Sequence, residues 1–450
     1  MASELQNTQA PQAGNKRAMA LALAAALLGW MFDGLEMGLI PLVGRPAIKE
    51  LIGPAASEYY GWWFAGIMAM FLVGAACGGL IFGWLGDRIG RVKAMVLSVA
   101  TYALFSGLCG FSTAAWHLAV LRFLASLGMG GEWALGVALV MEIWPARFRP
   151  LLAGVIGAAS NVGFLFIALV GLGLAQVLED VAGLLRSAGV SAGTVNTLVS
   201  NSGWRLMFFV GATPAILALL IQIFVPESER WKHAAATTPK NKVSDIFKGG
   251  LAKMAIFGSI LGAIALLGTW GSVQWIPAWA NQMSKSLPPE AALLAKSATS
   301  LTQIASAAGA IVGCVLGALF AQWTSRRVGY FMLSLGSLVT CQYLFRVPME
   351  LGLTFFLWVF IVGGLTAAFY GWLPLYLPEL FPTRVRATGQ GFAFNAGRVL
   401  AAVGTIGSGG LLSLFKEDYA AAGAITCLVY VLGMAFIWFC PETKGKPLPE

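Results

Sequence analysis

The chain has 450 residues, of which 58% are hydrophobic and only 11% charged, with a formal net charge of +9. A soluble globular domain carries about 25% charged residues, so this composition and a mean hydropathy of +0.77 exclude one and indicate an integral membrane protein. The positive balance is not a nucleic-acid footprint, because the basic residues do not cluster on one polar module.

In chain order, the long apolar runs predict twelve membrane-spanning helices. They cover 18–44, 60–85, 93–112, 116–143, 150–178 and 204–225, then 253–279, 300–323, 328–346, 351–377, 387–413 and 419–440. Each run is unbroken and lacks period-two alternation, which favours helix over strand. Lys16 and Arg17 before the first run resemble the start of a signal peptide, but that run is too long and carries two acids. The expected fold class is an all-α membrane protein of two six-helix bundles, divided by the polar stretch 227–252 "ESERWKHAAATTPKNKVSDIFKGGLA". The parts are a tail at 1–17, bundles at 18–226 and 253–440, the linker 227–252, and a tail at 441–450. Residues 179–203 form the longest loop on the opposite side, with room for a short surface helix.

With the N-terminus placed inside, 19 of the 29 Lys and Arg fall in inner segments, 8 in outer ones and 2 within helices. Both ends are therefore expected in the cytoplasm. Trp62, Trp63, Trp279 and Trp372 lie toward run ends or outer halves and read as interface anchors. The six cysteines have no metal-ligand spacing and read as small buried hydrophobes.

The two halves repeat one another. "GWLGDRIGRVK" after the second run is echoed by "QWTSRRVGYF" after the eighth, and "EIWPARFRP" after the fourth by "ELFPTRVRA" after the tenth. "PESER" and "PETKG" close the sixth and twelfth runs. Two parallel repeats around a central site is a transporter architecture.

These motifs resemble the major facilitator superfamily across nearly the whole chain. Gly83, Asp87, Arg88, Gly90 and Arg91 match its loop signature between the second and third helices. In the second copy Arg326 stands where the family has Asp. "DGLE" on the first run, "GMGGEW" on the fourth and "PELFPTRVRATGQGFAFNAGR" are most similar to proton-coupled symporters of organic acids, including aromatic-acid, sialic-acid and monocarboxylate carriers. A hexose carrier is disfavoured: the seventh run reads "LLGTWGSVQWIPAW" and lacks the Gln-Gln-x-x-Gly motif, and Pro-x-Pro-Trp is missing before Glu379.

Four charges sit where charge is costly, and they are the proton-coupling candidates: Asp33, Glu36, Arg122 and Glu132. Asp33 and Glu36, three apart, share a helix face; two nearby carboxylates cannot both ionise cheaply, which suits a proton carrier. The resemblance implies that Arg122 faces the acid of the first helix, where protonation of Asp33 would weaken the pair. On the eleventh run, Arg398 lacks an acid within its own half, so a guanidinium fork onto a substrate carboxylate is the favoured reading. Asn395, Asn161, Gln274 and Trp275 complete the expected substrate contacts.

The resemblance further implies a cytoplasmic gate, with Asp87 at the N-terminus of the eleventh helix. Arg91, Glu142, Arg147, Arg149 and Glu227 would then pair across the halves with Glu379, Arg384, Arg386 and Glu442. The expected function is secondary active transport of a small organic anion with a proton, by alternating access. A sugar or polyol carrier and proton-driven efflux are the alternatives. Two histidines and no nucleophile–base pair argue against an enzyme. No metal and no cofactor beyond the coupling proton is expected. The partners are an anionic small molecule and the lipid bilayer, with no nucleic acid, for a monomer in the inner or plasma membrane.

Overall fold

A backbone inside hydrocarbon satisfies its own N–H and C=O groups only as helix or closed barrel. The computed structural model describes residues 13–237, 242–273, 276–414 and 418–449, which hold helices and no strand. The first half contains α1 (Ala13–Ile52), α2 (Tyr60–Ile89), α3 (Arg91–Cys109), α4 (Ala115–Ile143), α5 (Arg149–Ser187), α6 (Ala192–Val210) and α7 (Pro214–Phe224). After α8 (Glu229–Thr237), the second half holds α9 (Gly250–Gly271), α10 (Ile276–Ser284), α11 (Ala292–Trp323), α12 (Arg326–Arg346) and α13 (Leu353–Ala367). It ends with α14 (Phe369–Leu380), α15 (Arg386–Leu414), α16 (Tyr419–Thr426) and α17 (Val429–Phe436).

Among the described residues, eleven helical segments are long and apolar enough to cross a membrane. The run expected at 387–413 is the unbroken helix α15. Several other runs are interrupted. The run 351–377 divides at Ala368 into α13 and α14, and α14 contains Pro374 and Pro378. Pro374 has no N–H to offer the Tyr370 carbonyl one turn back, which weakens the ladder there. The run 253–279 stops at Gly271 and resumes at Ile276. The expected loop 179–203 is mostly helix: α5 continues to Ser187, the chain turns through Gly189 at φ +84°, and α6 begins at Ala192. Trp372 is fully buried and its Nε1 donates to the Arg326 carbonyl at 3.1 Å, so it is core and not an interface anchor. Trp62, by contrast, is 78% exposed.

The start of α1 and the described residues near 449 lie on one side. The Trp144 Nε1 at the end of α4 donates to the Met19 carbonyl near the start of α1, and Arg386 at the start of α15 donates to the Pro449 carbonyl. The halves meet there through α2 against α15, and through α5 against α11 and α14.

Close crossings hold the first half together. Gly34 of α1 lies against the Ser160 backbone, and Gly163 of α5 against the Met31 carbonyl, so each helix presents a glycine to the other's main chain. Exchanging Gly for Ala inside a helix ordinarily stabilises it by about 1 kcal/mol. At Gly34 a Cβ would overlap the Ser160 carbonyl, and overpacking of this kind costs about 1–3 kcal/mol. Gly34→Ala is therefore expected to lower the melting temperature of the purified protein. Gly173→Ala, where a Cβ meets nothing within 4 Å, is expected to leave it unchanged or raise it.

Candidate functional site

Glu36 and Arg122 face one another between α1 and α4, each side chain about 1% exposed, and form a direct ion pair. The Ser106 hydroxyl donates to the second carboxylate oxygen at 2.6 Å, and Arg122 also reaches the Glu36 carbonyl at 3.3 Å. The Phe71 ring lies 4.7 Å beneath the guanidinium. Both carboxylate oxygens of Glu36 are thus satisfied, the condition under which a buried pair is tolerated. The expected partnership of Arg122 with the first-helix acid therefore falls on Glu36, not on Asp33.

Asp33, one turn toward the termini, is fully buried and neither of its oxygens has a hydrogen-bond partner. Glu132 on α4 is likewise buried and unpartnered, its carboxylate seated against Gly29, where a Cβ would overlap it. The charged electrostatic neighbours of Asp33 are Glu132, Arg398 and Glu36, of which Arg398, the cation, belongs to the other half. Arg398 is 4% exposed and forms no ion pair among the described residues. It donates to Asn395 Oδ1 at 2.7 Å and lies 5.2 Å from the Phe394 ring centroid. Asn395, expected among the substrate contacts, is turned the other way. Its amide donates to the Gly130 and Gly391 carbonyls at 3.1 and 2.9 Å, and its side chain fills the space over Gly79. It positions Arg398 and ties α15 to α4.

Beneath this layer, Phe394 of α15 stacks on Trp133 of α4 at 4.1 Å, with Trp30 of α1 edge-on at 6.3 Å. These rings come from both halves and close the space toward the termini. On the other side of the α5–α11 contact, a cavity of about 110 Å³ lies between α1 and α5 of one half and α10 and α11 of the other. Asn161 lines it, as expected, next to Ser160, whose backbone packs on Gly34; the cavity thus reaches the level of Asp33. Gln274 and Trp275 lie outside the described residues. Gln303 and Ser306 of α11 also line it. The sequence reading missed both, although they are polar residues three apart on one face of an apolar helix.

On the termini side the halves are joined by a charge network. Asp87 at the end of α2 accepts from the Ala387 and Thr388 backbone N–H groups at 3.2 and 2.8 Å. These are the first, otherwise unpaired donors of α15, at the positive end of its dipole. Arg91 pairs with Asp87 and with Glu142 at 3.0 Å and crosses to the Thr383 carbonyl at 2.9 Å. Glu142 also pairs across the halves with Arg386 at 3.1 Å.

The other expected gate residues depart from that pattern. Glu227 accepts from Val92 N, and its carboxylate lies against Gly90. Glu379 pairs with Arg326 at 2.9 Å, and Glu442 accepts from the Arg326 and Arg327 N–H groups at 3.1 Å each. All three brace their own half instead of bridging the two. Burial opposes ionisation of Glu442, but the backbone donors of Lys444, Arg327 and Arg326 outweigh it and hold the carboxyl below its usual range. Arg88, Arg147 and Arg384 are exposed; Arg88 lies over Trp84 and Arg147 over Phe148, so neither is part of the network. Arg149 lines a cavity beside Glu142 and Leu448. Gly83 packs against the Ala387 carbonyl, letting α2 and α15 approach.

The repeat has a different register from the one its glycines suggested. Arg91 donates to the carbonyl of Gly86, and Arg326 to that of Ala321, each five residues back, and each pairs with the glutamate after the fourth or tenth run. Arg326 is therefore the counterpart of Arg91, and the position matching Asp87 holds Gln322. The second half presents a neutral side chain where the first presents its docking carboxylate.

Removing the carboxylate of Glu36 would strand Arg122, a loss of about 3–5 kcal/mol for a buried pair. Glu36→Gln is expected to lower the melting temperature sharply, and Glu36→Gln with Arg122→Gln to recover most of it. Asp33→Asn breaks no ion pair and is expected to leave thermal stability unchanged or raised.

The model of the Major Facilitator Superfamily matches residues 18–405. The chain is 29% identical to a Cupriavidus pinatubonensis protein named "Probable 4-methylmuconolactone transporter", over 94% of this chain and 90% of that one. It is 27% identical to the "Cis,cis-muconate transport protein" of Acinetobacter baylyi, over 93% and 94% of the two. Its fold is similar to that of the proton:xylose symporter XylE, with a TM-score of 0.72, 18% identity, and 96% and 98% of the two chains covered. A chain of packed apolar helices that this family model covers through residue 405 is a multi-pass membrane carrier and not an enzyme: it belongs to the Major Facilitator Superfamily.

Proposed function

We propose that the chain carries a small organic carboxylate together with a proton, by alternating access, and that Asp33 and Arg398 couple the two. The observation behind this reading is that a buried acid without a hydrogen-bond partner and a buried cation without an ion pair among the described residues, from opposite halves, are electrostatic neighbours. With Asp33 ionised, Arg398 has a counter-charge. Protonation removes it, and a substrate carboxylate can take its place at the guanidinium, so the buried charge stays balanced. Glu132 is a second group able to hold a proton near Asp33, while Glu36 and Arg122 serve as a fixed pair. The relatives named for muconate and 4-methylmuconolactone support a carboxylate over a sugar or polyol. The proton is the only coupling ion in this reading, and neither a metal nor an organic cofactor enters it. The lysine and arginine bias supports both termini in the cytoplasm. The network of Asp87, Arg91, Glu142 and Arg386 then acts as a cytoplasmic gate, closed in this conformation.

In proteoliposomes, an inward proton gradient is expected to drive uphill uptake by the native chain. Asp33→Asn should lose the uphill phase while keeping substrate exchange; retained accumulation would refute the assignment. Arg398→Gln removes a charge-assisted hydrogen bond of about 1.5–3 kcal/mol, so carboxylate affinity should fall by roughly 10- to 100-fold while neutral analogues are unaffected. Asp87→Ala is expected to open the termini side, read as lost crosslinking between cysteines placed on α2 and α15.

A further inference from the structure

Three neutral polar side chains face the cavity with unused hydrogen-bonding capacity. Asn161 has one weak contact, its amide 4.0 Å from Cys314 Sγ. Gln303 and Ser306 line the same space and make no side-chain hydrogen bond among the described residues. The remaining described walls are apolar, including Leu42, Phe164 and Pro277, and none of the described lining residues is ionisable. Among the described residues of the second half, Arg398 is the cation buried within the long helix α15. Tyr370, an electrostatic neighbour of Arg398, packs its carbonyl on Gly157 of α5, one turn from Asn161.

We propose that Gln303, Ser306 and Asn161 form a second subsite that reads a neutral hydrogen-bonding group at the far end of the substrate. This rests on the carboxylate reading above and narrows it. The preferred substrate has one carboxylate, for Arg398, and an uncharged acceptor or donor opposite it on a slim skeleton. A cavity of about 110 Å³ accommodates roughly a benzene-sized frame. A second carboxylate would be driven against neutral amides and a hydroxyl with no cation to meet it, so dicarboxylates are disfavoured.

The test uses three probes on the full-length protein by titration calorimetry: nicotinate, benzoate and cis,cis-muconate. Nicotinate and benzoate differ in the ring nitrogen acceptor alone. The native chain should bind nicotinate about tenfold tighter than benzoate, the difference one hydrogen bond supplies, and muconate more weakly than nicotinate. Gln303→Leu with Ser306→Ala should reduce nicotinate binding to the level of benzoate and leave benzoate unchanged. Gln303→Lys should raise muconate affinity about tenfold, a gain that misfolding cannot produce. Equal binding of nicotinate and benzoate by the native chain, or equal loss of both in the double variant, overturns the subsite while an Arg398-dependent affinity for benzoate preserves the carboxylate reading. Failure of all three acids to bind overturns both.

Discussion

The constraint that organises this molecule is the cost of charge inside hydrocarbon. An ionised group there is tolerated when a partner and hydrogen bonds replace its lost hydration. Glu36 meets that requirement with Arg122 and Ser106, Glu142 with Arg91, Arg386 and Ser228, and Glu379 with Arg326 and Thr443. Asp33 and Glu132 do not. Two carboxyls without hydrogen-bond partners beside several that are fully matched is a pattern that packing alone does not explain. It separates groups that hold the bundle together from the two to which the proposed proton coupling is assigned.

The same distinction sorts the charges on the termini side. Contacts of Glu227, Glu379 and Glu442 remain within a half, so they persist however the halves move. Those of Asp87, Arg91, Glu142 and Arg386 cross between halves and would have to break for that side to open. Asp87 is the most exposed to such a change in one respect: its crossing contacts are the Thr388 hydroxyl and the N–H groups of Ala387 and Thr388 in the first turn of α15, which have no intrahelical acceptor of their own. Separation of α2 from α15 would leave a buried carboxylate and two backbone donors in need of water. Closure is thereby stabilised without covalent or permanent attachment.

Much of the fold was readable from composition, because uninterrupted apolar runs of more than 20 residues have few alternatives to helix. The breaks were less so. Pro374 and Pro378 mark α14, and Pro277 stands at the second position of α10 just past the interruption near Gly271, but the extension of α5 to Ser187 runs through polar residues that a hydropathy window treats as loop. Residue type and depth singled out Asp33, Glu36, Arg122, Glu132 and Arg398 as charges within the helices, and all five are buried, yet they did not show who pairs with whom. One helical turn separates Asp33 from Glu36, and only the crossing of α1 with α4 decides which of them meets the arginine. Asn395 was misjudged for the same reason, since its one-turn spacing from Arg398 left open which of the two faces the cavity.

The repeat illustrates how symmetry of sequence and symmetry of chemistry diverge. Aligning the glycines places Arg326 at the aspartate position; aligning the carbonyl contacts places it opposite Arg91. The second alignment follows the physics, because an arginine donating five residues back and forking onto a glutamate recurs in both halves. What does not recur is the anion that docks on a helix start, replaced by Gln322. An amide in that position has no charge to set against a helix dipole, so the α5 side of the interface must rely on close helix packing where the α2 side uses electrostatics. The two seams therefore differ in what weakens them: loss of a charge at the α2–α15 seam, whose ion pairs are buried and little screened by salt, and side-chain volume at the α5–α11 seam, where Gly154 packs on the Val315 backbone.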